Sequence, residues 1–78
     1  MKKIHIEERE AERKVAEKNG YSCIICTKPD DFHRRKKGET YCCWEKDGWF
    51  HLFASWSPDS FLGRCRPDYM DEHFQILV

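Results

Sequence analysis

The dipeptide Asp47-Gly48, set between two aromatic-rich runs, constrains this chain more than any other feature. A two-residue type I′ turn needs positive φ at both central positions, which Gly adopts freely and Asp tolerates. The flanks, Thr40 to Lys46 and Trp49 to Trp56, carry Tyr, Trp, Phe and Thr, the residues that fit a pleated surface. The turn therefore predicts a β-hairpin and its register: Lys46 opposite Trp49, Glu45 opposite Phe50, Trp44 opposite His51, Cys43 opposite Leu52, Cys42 opposite Phe53 and Tyr41 opposite Ala54.

Alternation sorts these residues onto two faces. Tyr41, Cys43, Phe50, Leu52, Ala54 and Trp56 form an apolar set, expected to face the core. Cys42, Trp44, Trp49, His51 and Phe53 form the other, with Thr40, Lys46 and Ser55. That second set is too apolar for a face turned to water, so it is expected either to lie under a helix or to serve as a contact surface.

The rest of the chain reads in order. Residues 5–18 are expected to form a helix, with Ile4, Ala11 and Val15 on a thin apolar stripe and Asn19-Gly20 as its stop. Acidic residues come early in it and basic residues late, which complements the helix dipole; Glu10 and Lys14 are spaced as an ion pair. Lys3-Ile4-His5-Ile6 alternates and fits a short strand as well. Tyr21 to Thr27 reads as a buried central strand. Lys28 to Glu39 reads as a loop, with the basic run His33-Arg34-Arg35-Lys36-Lys37 inside it. Ser57-Pro58 resembles a helix cap and first turn, with Gly63 as the stop. Pro67 opens a short helical turn, followed by an edge strand over the last residues.

These readings give one α+β domain over residues 1–78: an N-terminal helix packed on a small antiparallel sheet of three to four strands, with the hairpin at its centre. At 78 residues such a chain buries only about 60% of its unfolded surface, so the core is thin. No apolar run approaches the ~20 residues that cross a bilayer, and the N-terminus lacks the apolar segment of a secretory signal. A cytoplasmic location with reduced thiols is the expectation. Five cysteines cannot all pair within one chain.

Cys23-Ile24-Ile25-Cys26 has the C-x-x-C spacing of zinc sites. If zinc binds, Cys23, Cys26, Cys43 and Cys65 are the first choice of ligands. A strand over 21–27 speaks against it, because Cys23 and Cys26 would point to opposite sides. The same strand speaks against a thioredoxin-like motif, which sits at a strand-to-helix junction. Cys42 and His51 are diagonal neighbours on one face, but no carboxylate is placed to orient the histidine. No catalytic group and no cofactor are expected.

The chain has 14 basic and 14 acidic residues and a formal net charge of zero, which argues against a dedicated nucleic-acid protein. The reading that remains is a small cytosolic, non-enzymatic binding protein that docks on a larger protein or protein–nucleic acid complex as an inhibitor or adaptor. Its compact, charged, aromatic-rich build resembles in style the inhibitors encoded by phages and mobile elements. The expected anchors are Trp44, Trp49 and His51, with Arg34, Arg35, Lys36 and Lys37 steering an acidic partner. The alternative is a zinc-stabilised nucleic-acid module that uses the 33–37 loop on phosphates.

Overall fold

In the computed structural model, which describes all 78 residues, the chain folds as a six-stranded mixed sheet with a short helix on each side. This corrects the expected three- to four-stranded sheet beneath one N-terminal helix. The strands are β1 (Lys3–Ile4), β2 (Ser22–Cys26), β3 (Thr40–Lys46), β4 (Trp49–Ala54), β5 (Ser57–Cys65) and β6 (Phe74–Leu77), in spatial order β1-β6-β2-β3-β4-β5. Only β1 and β6 run parallel. A 3-10 turn (Glu7–Arg9) leads into α1 (Glu10–Lys18), and α2 (Pro67–His73) precedes β6.

The hairpin register is the one the turn dictates, from Lys46 opposite Trp49 to Tyr41 opposite Ala54. Asp47 and Gly48 both have positive φ, 54° and 77°. Beyond Ala54 the expectation fails in two places. Trp56, assigned to the core, sits in the β4–β5 turn and is 80% exposed. Ser57-Pro58 opens a strand rather than a helix: residues 57–65 pair with β4 as the outermost strand. A proline is tolerated there because an edge strand has N–H groups that need no partner. Gly63, read as a helix stop, has φ +135° beside the Leu62 bulge.

The final strand is also not an edge. β6 lies between β2 and the two-residue β1, so Phe74 and Leu77 are buried. Its place follows from α2, which crosses one face of the sheet and returns the chain beside β2.

The two faces hold separate cores. On the α2 face, Ile24, Cys26, Tyr41, Cys43, Leu52, Met70 and Phe74 pack together. On the α1 face, Ala16, Cys23, Ile25, Cys42 and Leu77 do so. Ala16 is the only fully buried residue of α1, while Ala11 and Val15 of the expected stripe are exposed. The helix is held instead by a polar seam: Thr40 Oγ1 donates to Glu12 Oε2 at 2.5 Å, and Arg9 Nη2 donates to the Gly38 carbonyl at 3.1 Å. Arg13, not Lys14, pairs with Glu10, and it also pairs with Glu17.

Candidate binding surface

Helix α1 lies on β2 and leaves the outer half of its own sheet face bare. Three rows of side chains run across β3, β4 and β5 there, fixed by the register. Cys42, Phe53 and Phe61 make the first; Trp44, His51 and Arg64 the second; Lys46 and Trp49 begin the third, which Arg66 completes past the strand end. Cys42 is buried beneath the helix. Trp44 and Phe61 are 47% and 56% exposed.

The rings form a connected layer. Tyr21 packs on Phe53 at 4.9 Å between centroids and meets Trp44 edge-on at 6.3 Å. Phe61 contacts Phe53 at 5.6 Å and His51 at 5.9 Å, and His51 meets Trp44 at 6.3 Å. Each ring covers part of its neighbour, so the layer is held rigid while its upper surface stays open. Phe61 and Tyr21 belong to this surface although sequence reasoning omitted them. For Phe61 the signal was the second-face register, which extends to β5 only once residues 57–65 are read as a strand; Tyr21 joins the layer from the residue before β2.

Trp49 is placed differently from Trp44. The guanidinium carbon of Arg66 lies 3.6 Å from its ring centroid and that of Arg64 lies 4.2 Å away. Both cations are attracted to the ring's negative face. The indole is thus half-buried by arginines rather than bare.

Cationic charge gathers beside this stack. A concavity of about 440 Å³ is lined by His33, Arg35, Trp49, Arg64, Arg66 and Tyr69, among others. None of Arg34, Arg35, Lys36, Lys37, Lys46, Arg64 or Arg66 has a carboxylate within ion-pair reach. The ion pairs lie on the 3-10 turn, α1 and α2, and at the Asp30–His33 contact.

The basic loop is built, not slack. Asp30 accepts from the Phe32 and His33 backbone N–H groups, from His33 Nδ1 at 2.7 Å and from the Tyr69 hydroxyl at 2.8 Å. Those hydrogen bonds, His33 first and Tyr69 next, hold its carboxyl well below the usual carboxylate range. Burial, with Asp30 close by, pushes the Tyr69 hydroxyl up. Arg34 takes φ +57° at the turn, and Arg35 lies 5.2 Å over the Tyr41 ring. The loop therefore places Arg35 near Trp49 but leaves Arg34, Lys36, Lys37 and the 89% exposed Phe32 pointing to solvent. The expected anchors thus divide: Trp44 and His51 in the open layer, Trp49 beneath its arginines, Arg35 in the concavity, the other cations on the loop.

The cysteines do not converge. Cys23 lies on the α1 face, whereas Cys26 and Cys43 lie in the α2-face core with Cys65 against it. That set cannot share a metal, and no group of three or more His, Cys, Asp or Glu side chains stands close enough to hold one. Burial raises all five thiols, Cys23 and Cys43 to about 12, the reverse of an activated nucleophile. Asp30 does orient His33, and Cys65 lines the same concavity, yet no hydrogen bond links the histidine to that thiol. Cys42 is sealed beneath α1, apart from the open layer where His51 sits.

Comparison with protein-family models, curated proteins and solved structures finds no match for this chain. No helix is long and apolar enough to cross a membrane.

Proposed function

We propose that this protein is a non-enzymatic binding protein that docks onto the acidic surface of a larger protein through the open half of its α1-side sheet face. One observation carries the reading. The rows across β3, β4 and β5 grade from a helix-covered edge, through a bare aromatic layer, to cations without carboxylate partners. Interfaces are rich in Trp, Tyr, Phe and Arg at their centres, and charge at the rim speeds encounter with an opposite surface. Trp44, Phe61 and His51 are the anchors in this reading. Lys46, Arg64 and Arg66 are its rim, with Arg35 across the concavity that Arg64 and Arg66 line; Arg34, Lys36 and Lys37 stand on the loop that packs against α2 and are not counted in it.

The test is affinity capture from native host lysate with tagged wild type and tagged variants, identifying the protein retained. Trp44→Ala with Phe61→Ala should lose that protein at least tenfold while the urea midpoint stays close to wild type. Arg64→Ala with Arg66→Ala should slow its association and flatten the salt dependence. Undiminished capture by the aromatic double variant would sink the reading.

Bare rings beside unpaired cations also suit single-stranded nucleic acid, where bases stack and phosphates pair. A short labelled oligonucleotide decides between the two. Tight binding that falls steeply with salt and vanishes in Trp44→Ala would replace the protein partner.

A further inference from the structure

Hydrogen-bond parity along β2 singles out one pair of cysteines. The Cys26 N–H donates across to Glu39 on the β3 side at 2.9 Å, whereas the Thr27 N–H donates to His73 on the α2–β6 side at 2.8 Å. In an antiparallel sheet a residue's N–H and C=O point to one neighbour, and the next residue's to the other. Counting back, Ile24 and Ser22 bond toward β3, and Ile25 and Cys23 bond toward β6. Cys23 nevertheless stands directly opposite Cys42 of β3. The two therefore form a non-hydrogen-bonded pair, the closer of the two kinds, with Cα atoms about 4.5 Å apart. Disulfides span Cα separations of about 4.4–6.8 Å.

Both side chains point to the same side, into the small core under Ala16. No other cysteine is opposed by one: Cys43 faces Ser22 and Leu52, Cys26 faces Phe74, and Cys65 faces Phe50. Cys23 also has a route to solvent. A concavity of about 330 Å³ between α1 and the chain's C-terminal end is lined by Arg13, Glu17, Tyr21, Cys23, Leu77 and Val78, among others.

We propose that Cys23 and Cys42 form an oxidisable dithiol, which a small peroxide entering this concavity converts to a cross-strand disulfide. Cys23, as thiolate, attacks one peroxide oxygen. The O–O bond breaks, leaving a sulfenic acid on Cys23, and the departing oxygen leaves as water after protonation. Cys42, as thiolate, then attacks the Cys23 sulfur. The S–O bond breaks, a second water leaves and the S–S bond forms. The two sulfurs lose two electrons and the peroxide gains them. Burial lifts Cys23 to about 12, so the step is slow at neutral pH and, below that value, quickens about tenfold for each unit by which pH rises. The bond ties β2 to β3 directly under the single buried residue of α1, independently of any partner at the open face.

The experiment treats the intact protein with hydrogen peroxide, alkylates under denaturing conditions, and maps peptides without reduction. The expected result is loss of two alkylatable thiols per chain, a faster loss at higher pH, and full recovery with dithiothreitol. Cys26→Ser and Cys43→Ser should keep the bridge. Cys42→Ser should lose it and leave a Cys23 sulfenic acid that dimedone traps. Five thiols still alkylated after peroxide, a bridge that survives Cys42→Ser, or links only between chains would each overturn the proposal. If the serine variants fail to fold, fragmentation of the wild-type bridged peptide, separating Cys42 from Cys43, decides it.

Discussion

The two sides of the β3–β4 hairpin share one backbone and opposite fates. On one side Tyr41, Cys43 and Leu52 are sealed by Met70 of α2 and by Phe74. On the other, Trp44 and Phe61 remain open. Composition does not separate them, since both sets are apolar and aromatic. What separates them is where the crossing helix lands. α2 reaches β4, directly beneath the hairpin, whereas α1 settles on β2, inward of it. A sheet face is thus buried core or open surface according to the path of a neighbouring segment, not its own side chains alone.

The sharpest way to break this contrast is Leu52→Ala. Leu52 is fully buried, and deleting its side chain should cost about 2–5 kcal/mol, read as a lower urea midpoint with unchanged slope. A loss no larger than that of an exposed-face variant would abolish the distinction. Ala16→Leu probes the covered part of the second face. Added bulk where α1 meets the sheet should cost about 1–3 kcal/mol and speed alkylation of Cys23 and Cys42. Phe61→Ala, on the open part, should cost less than about 1 kcal/mol, because the ring is more than half exposed and only its tilted contacts with His51 and Phe53 are lost.

The last test concerns the loop rather than the sheet. Asp30 has its carboxyl depressed by His33 and Tyr69, so its ionised form stabilises the folded state above the unfolded value of about 4. That contribution should fade as pH falls below about 4. Urea midpoints measured against pH should therefore drop less steeply for Asp30→Asn than for wild type over that range. Equal slopes would mean that Asp30 does not hold the loop.

Local geometry was legible in the sequence and distant covering was not. Asp47-Gly48 fixes all six hairpin pairs because a two-residue turn leaves no freedom of register. The strand at 22–26 was readable from its unbroken apolar run, and with it the opposite orientations of Cys23 and Cys26. β5 was hidden because Ser57, Pro58 and Gly63 carry the chemistry of a helix start and stop, whereas an edge strand and a bulge use the same residues. The alternation of Lys3-Ile4-His5-Ile6 offered a short strand beside the helix reading, and β1 takes its first two residues. Losing β5 hid Phe61 and Arg64, and with them the third column of the candidate surface. Trp56 went astray because alternation was continued past the end of the strand.

The irregular course of β5 has an effect beyond the chain itself. Its pairing slips between Leu52 and Phe53 and again between Phe53 and Ala54, with Pro58 and Gly63 along the way. Outermost strands that stay flat recruit further copies edge to edge, whereas bulges, proline and charge spoil the template. The aromatic layer of this sheet therefore lies beside a ragged border that makes a poor template for edge-to-edge pairing.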